Sequence, residues 1–236
     1  NIDNIVAKRG ALFMINLKHE VQERGFTVAH IKTDSIKIPN ATPEIIQFVK
    51  DFGKMYGYEF EHEATYAKMC LVNNAVYIAK YNEQGIINKG GKHANEWTAT
   101  GTQFAVPYVF KKLFSKEKIE FEDMCETKQV TTNMYLDMNE DTPDEHHLIF
   151  VGKVGLYCPI KPGCGGGNLV REALDKNGNI KYDTVVGTKG YRWLESEMVK
   201  QLHKEDDIDR SYYDALVNAA VDAISAYGDF ELFTND

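Results

Sequence analysis

Lys32-Thr33-Asp34-Ser35 stands between two short runs rich in β-branched residues, 26–31 and 36–38. Four polar residues between two such runs predict a β-hairpin with the tetrapeptide at its turn. A carboxylate at that position projects into water, where it can hold Mg²⁺ beside a nucleotide triphosphate. Two-metal phosphoryl transfer needs such a group, because the ions sit about 3.5–4 Å apart and bind both the attacking and the leaving oxygens. A hairpin fixes the carboxylate better than a loop would. An Asp in a β-turn is nevertheless commonplace, so the meaning of Asp34 depends on what surrounds it.

Other stretches invite chemistry less strongly. Gly163-Cys-Gly-Gly-Gly167 suggests a phosphate loop, but no Lys-Ser/Thr and no helix signal follow it, so a strand connection is the better reading. Gly187-Thr-Lys-Gly190 precedes an expected helix, whose free N–H groups would suit an anion. His146 and His147 lie near Asp141, Asp144 and Glu145, yet adjacent side chains diverge and such charge runs are usually solvated. Trp97, Tyr108, Phe110 and Phe114 offer stacking faces, though aromatics of this kind more often fill a core.

The elements that would position Asp34 can be read from periodicity and punctuation. Residues 5–24 predict a helix with Val6, Phe13, Leu17 and Val21 on one face and Gly25 as its stop. After the hairpin, Thr42 offers an N-cap hydroxyl, Pro43 the first helical position and Glu44 a first-turn acid. That second helix presents Ile45, Val49 and Phe52 and stops near Gly57. Strands are expected over 59–72, broken within, and 75–81, with Asn73-Asn74 as the turn. Residues 82–95 read as a loop or boundary, and 106–114 as a short helix led by Pro107. The acidic stretch 139–147 reads as a second boundary. Beyond it come a strand pair over 148–157, a glycine-rich loop over 162–168 and a strand over 180–186. Two closing helices are expected over 192–202 and 209–226, the latter with a stripe of Ile208, Tyr212, Leu216, Ala219 and Ala223. Helices alternating with hairpins predict an α+β layer.

Composition narrows the function classes. The chain has 236 residues, 43% hydrophobic and 26% charged, as in ordinary globular domains. No run of about 18 apolar residues suggests a membrane span, and no signal-peptide pattern opens the chain. Cys70, Cys125, Cys158 and Cys164 show no metal-finger spacing and predict reduced thiols in a cytoplasmic protein. The net charge of −8 argues against a stand-alone nucleic-acid binder, whose affinity rests on neutralising phosphates.

The stretch RGALFMINLKHEVQERGFTVAHIKTDSIKI resembles the segment of family B DNA polymerases that runs into their D-T-D-S motif. There a helix ending in Gly leads into strand, turn and strand. The resemblance implies that Asp34 is the catalytic, metal-binding carboxylate, with Thr33 and Ser35 at the motif's Thr and Ser. Lys32 stands where the family has its first Asp, a departure that removes one acid and offers a phosphate contact instead. Residues 73–79, Asn-Asn-Ala-Val-Tyr-Ile-Ala, resemble the family's K-K-x-Y element, which touches the primer–template. Tyr77 matches its Tyr, and the lost Lys pair leaves Lys80 as a substitute contact.

The resemblance covers roughly residues 1–140. It implies a palm half over 1–95, with an antiparallel sheet and helices on one face, then a mostly helical thumb over 96–140. Residues 141–236 would be a small C-terminal α+β extension. Two strings there, VGKVGLYCPIKPGCGGGNLVRE and VVGTKGYRWLESEMV, resemble the ends of some bacteriophage polymerases, which favours a viral source and the host cytoplasm. The implied partners are DNA primer–template, deoxynucleotides and the N-terminal part of the polymerase, with no membrane. The implied cofactor is Mg²⁺, in a two-metal site completed by a carboxylate of the upstream D-x-x-S-L-Y-P motif, which this chain lacks. The chain begins with Asn1, which fits a fragment or a processed chain, and alone it is expected to be inactive. The alternative is a degenerate palm that binds DNA or an assembly partner without catalysis.

Overall fold

The computed structural model describes residues 5–139 and 145–235. Within it, local signals set most element ends. Helix α1 spans Ile5–Glu23 and buries Phe13, Met14, Leu17 and Val21; Val6, expected on that face, is 80% exposed. Gly25 ends it in a left-handed conformation, φ 88°. The Gly25 N–H donates to Gln22 O (2.9 Å) and the Phe26 N–H to Val21 O (3.4 Å), the paired bonds of a Schellman ending.

Helix α2, Pro43–Met55, starts and stops where the sequence says. Its first turn has Pro43 and Glu44, and the Ile45 N–H donates to the Thr42 hydroxyl at 3.4 Å. Gly57, φ 83°, closes it with the same pair of bonds, from Gly57 to Lys54 O and from Tyr58 to Gly53 O. Thr42→Ala removes the cap and leaves an N–H unsatisfied, so it should cost about 1 kcal/mol. Chemical denaturation of the chain measures this, and Thr42→Ser should recover most of the loss.

Strands β1 (His30–Ile31) and β2 (Ile36–Lys37) form a two-stranded antiparallel sheet. The expected strand over 26–31 is paired only at its end, although the Ala29 N–H still donates to Lys37 O. Strands β3 (Tyr66–Asn73), β4 (Val76–Tyr81) and β5 (Trp97–Ala99) form a three-stranded sheet in that order. The stretch before Tyr66, expected as strand from 59, is not one. Asn73 makes the turn as expected, its Oδ1 accepting from the Ala75 N–H at 2.9 Å.

The chain divides into two compact units after Gly101, and residues 227–235 belong to the first. A boundary was expected at 95/96, but β5 pairs with β4, so 82–95 is a loop inside the first unit. Within that unit the Tyr227 hydroxyl donates to Val72 O (2.9 Å) and Phe233 lies edge-on to Trp97 (5.3 Å). Helix α7, Phe230–Thr234, is part of this segment.

In the second unit, α3 (Thr102–Ala105) and α4 (Pro107–Phe110) lead into a widened π turn, Lys111–Ser115, and a 3-10 turn, Phe121–Met124. The region expected over 96–140 as mostly helical therefore opens on strand β5, holds short helical turns between Thr102 and Met124, and is strand from Glu126. From there β6 (Glu126–Asp137) enters a five-stranded antiparallel sheet with β7 (Leu148–Ile160), β8 (Asn168–Leu174), β9 (Ile180–Thr184) and β10 (Arg192–Glu195). Its order is β10-β7-β6-β8-β9. Residues 140–144 of the expected boundary lie outside the described residues. The strands on either side, β6 and β7, pair with each other, so one unit continues across it.

Three further elements differ from those the sequence predicts. The strand pair over 148–157 is one strand, β7; Gly152, φ 90°, sits where its register with β6 shifts, which marks a bulge and not a turn. The helix over 192–202 is β10 followed by a short α5, Ser196–Gln201. Trp193 and Leu194 pair with Pro159 and Cys158, so long-range pairing overrides local preference. Helix α6, Ser211–Ser225, buries Tyr213, Ala220 and Ile224, leaving Ala219 exposed, so its apolar stripe is rotated from the expected one. The class is α+β, as the sequence predicts.

Candidate active site

Asp34 occupies the tip of the β1–β2 hairpin and is exposed there with Lys32 and Thr33; Ser35 is half-buried. The Lys32 N–H donates to Ser35 O at 2.9 Å and closes the turn. With only two paired residues per strand, the hairpin cannot stand alone. Packing supplies the rest. Phe26, Val28, Ile31, Ile36 and Ile38 rest against the α1–α2 core of Leu17, Val21, Ile45 and Val49.

A second anchor comes from His30, 4% exposed, whose Nε2 donates to Asn74 O at 2.9 Å. This ties the strand before Asp34 to the β3–β4 turn. Its Nδ1 finds no hydrogen-bond partner among the described residues. A third contact joins the same two hairpins, the Lys37 ammonium lying 4.9 Å from the centre of the Tyr77 ring. Burial, reinforced by the charge of Lys32, lowers the Lys37 pKa; Glu63 and Asp34 oppose this without cancelling it. Tyr77 continues into an aromatic group with Tyr66 (6.3 Å), which in turn meets Tyr81 (5.3 Å). Burial pushes the Tyr66 phenol well above its ordinary range, helped by Tyr77.

The fold thus brings Tyr77 to the hairpin of Asp34. Lys80 goes elsewhere. Three residues along β4, it points to the other sheet face, with its ammonium 5.8 Å from the Trp97 ring that it opposes across the β4–β5 register. Lys80 therefore does not stand beside Tyr77 as the expected substitute for the Lys pair. The sequence does not single out His30 or Lys37. A polar residue inside a β-branched run was the available hint for His30, and the alternation of β2 was the hint for Lys37.

Asp34 provides one carboxylate. Among the described residues no group of three or more His, Cys, Asp or Glu side chains is arranged to hold a metal ion. Mg²⁺ demands near-octahedral oxygen coordination, so the residues present do not by themselves fit a two-ion site.

The remaining candidates have other roles. The 163–167 loop connects β7 to β8, and two of the N–H groups a phosphate would need are already used: the Cys164 N–H donates to Lys161 O (3.1 Å) and the Gly167 N–H to Trp193 O (2.9 Å). Gly187–Gly190 leads into β10, so the helix N-terminus expected to bind an anion does not exist, and Thr188 is buried. His146 pairs with Asp137 (2.7 Å), while Asp141 and Asp144 lie outside the described residues. Burial would raise the Asp137 carboxyl, but bonds from His146, His147 and Asn139 hold it below its usual range. Tyr108 and Phe114 are core residues. No helix among the described residues is long and apolar enough to cross a membrane. The chain matches no protein-family model, no curated protein and no solved structure.

Proposed function

We propose that this chain is the C-terminal palm portion of a DNA-directed DNA polymerase of family B type. Asp34 would provide one of the two carboxylates of its metal site. The observation that carries the reading is Asp34 itself, exposed at a hairpin tip whose backbone is fixed by a helical core and two cross-links to the next hairpin. The reaction is nucleotidyl transfer. The primer 3′-hydroxyl attacks the α-phosphorus of a deoxynucleotide, and pyrophosphate leaves. Mg²⁺ would be shared between Asp34 and an upstream carboxylate of the same polymerase. In this reading Lys32, Thr33 and Ser35 border the nucleotide, Tyr77 faces the duplex, and the compartment is the host cytoplasm.

A non-catalytic, degenerate palm is the second reading, favoured by Lys32 at the first acid position and by the single carboxylate. DNA binding separates the polymerase reading from a palm that serves only as an assembly module. Between Trp97 and Lys128 the lysines 111, 112, 116, 118 and 128 are balanced by Glu117, Glu120, Glu122, Asp123 and Glu126. Several are already engaged: Lys111 with Asp123 (2.9 Å), Lys118 with Glu120 (3.8 Å), and Lys128 over the Trp193 ring. The chain should therefore bind primer–template weakly, with a dissociation constant on the order of 10⁻⁴–10⁻⁶ M at physiological salt, and lose affinity as salt rises. Titration of labelled primer–template at two salt concentrations measures this. No binding at low salt would favour the assembly module, and tight salt-indifferent binding would contradict both readings.

A further inference from the structure

The sequence predicts reduced thiols, and none of the four cysteines is in a disulfide. Two of them are neighbours. Glu126 on β6 pairs with Tyr157 on β7, and the same antiparallel register carried one residue outward sets Cys125 opposite Cys158. Their sulfurs are 3.6 Å apart. Residues directly opposite on antiparallel strands have Cα atoms about 4.5–5.5 Å apart, inside the span of about 4.4–6.8 Å that a disulfide bridges. Closing to a bond of about 2.0 Å needs side-chain rotation and no change of register.

The two thiols differ in access. Cys158 is fully buried beside Ile160, Leu194 and Tyr213, whereas Cys125 is half-buried at the start of β6. Cys125 Sγ also donates to Phe121 O at 3.4 Å, leaving Cys158 to donate to Cys125.

We propose that Cys125 and Cys158 form a modification site for hydroperoxides, with Cys125 as the attacked thiol and Cys158 as the resolving one. In the first step the Cys125 thiolate attacks a peroxide oxygen and the O–O bond breaks. Cys125 keeps the hydroxyl as a sulfenic acid, and the other oxygen leaves as hydroxide or alkoxide and takes a proton. In the second step Cys158 gives up its proton, its sulfur attacks the Cys125 sulfur, the S–O bond breaks and water leaves. Two thiols have then lost two electrons and two protons, and the peroxide has been reduced to water, or to water and an alcohol. The hydrogen bond from Cys158 lowers the Cys125 pKa, while that same bond and burial raise Cys158. This ordering of acidities suits the assigned roles. The site stands apart from the proposed nucleotidyl-transfer function and does not depend on it.

The test treats the intact chain with hydrogen peroxide and maps thiols by peptide mass. The expected product is a 125–158 disulfide, lighter by two hydrogens and reversed by a thiol reductant, with Cys70 still reduced. Cys158→Ser should instead accumulate a sulfenic acid at Cys125, trapped by dimedone, and Cys125→Ser should prevent both products. Cys164 also packs against this cluster, so Cys164→Ser must leave the disulfide yield unchanged. Because the wild-type map stands without any variant, a folding defect in the serine variants does not blunt the result. Peroxide leaving Cys125 and Cys158 unlinked, or linking Cys125 to Cys164, overturns the proposal.

Discussion

On the proposed polymerase reading, Asp34→Ala in a chain that joins this sequence to a second palm carboxylate is expected to reduce deoxynucleotide incorporation by about 10²–10³-fold. That is the loss typical of removing one group that stabilises charge developing in a transition state. Asp34 lies exposed at a turn and no core residue depends on it. The substitution should leave stability within about 0.5 kcal/mol, so a lost rate reports chemistry and not folding. Asp34→Asn keeps the shape, removes the charge and should be nearly as damaging. Asp34→Glu keeps the charge, moves it outward and should fall between. Single-turnover primer extension across a Mg²⁺ titration reads all three. Wild-type rates for Asp34→Ala would remove the residue on which the polymerase reading rests. His30→Phe serves as a contrast: it keeps the bulk and drops the bond to Asn74 O. A slowed rate with unchanged primer–template affinity would place its effect at the hairpin.

The largest loss of stability is expected at Trp193. It is fully buried in the five-stranded sheet unit, packed with Met134, Leu136, Tyr157 and Leu169. Its indole N–H donates to Thr188 O at 3.0 Å, and Tyr212 meets the ring edge-on at 5.2 Å. Trp193→Ala should cost about 3–5 kcal/mol, the range for truncating a buried aromatic. Trp193→Phe restores much of the apolar volume but removes the indole bond, leaving the Thr188 carbonyl only the longer bond from the Tyr191 N–H (3.4 Å), and should cost about 1–2 kcal/mol. Urea unfolding measures both. A loss under 1 kcal/mol for the alanine variant would mean that the cluster is not the core of its unit.

What could be read from the sequence follows the range of the interactions. Thr42, Pro43, Gly25, Gly57 and Asn73 act on residues within about one helical turn or one hairpin turn, and each stands where its local chemistry puts it. The helix expected over 192–202 fails because Trp193 and Leu194 answer to Pro159 and Cys158, more than thirty residues earlier. The α6 stripe is shifted by one position: Tyr213, Ala220 and Ile224 are the fully buried residues. Tyr212 and Leu216 of the expected stripe pack half-buried against the same core, a choice that tertiary packing makes between neighbours equally apolar by type. The candidate site divides in the same way. Asp34 is legible because a hairpin turn is local. His30 and Lys37 are not, because their partners Asn74 and Tyr77 reach them only once the second hairpin has folded against the first.

The first unit is built from two stretches of chain, with the whole second unit between them. Residues 227–235 bring Tyr227 to Val72 O and Phe233 to Trp97. During synthesis these residues leave the ribosome only after all of 102–226 has been made. The usual order, in which the N-terminal domain folds first, is thereby reversed in part. The sheet unit of 102–226 has its full complement of residues while the hairpin layer that carries Asp34 still lacks its closing segment. Translation speed through the codons for residues 227–235 thus bears on when the carboxylate hairpin's unit is complete.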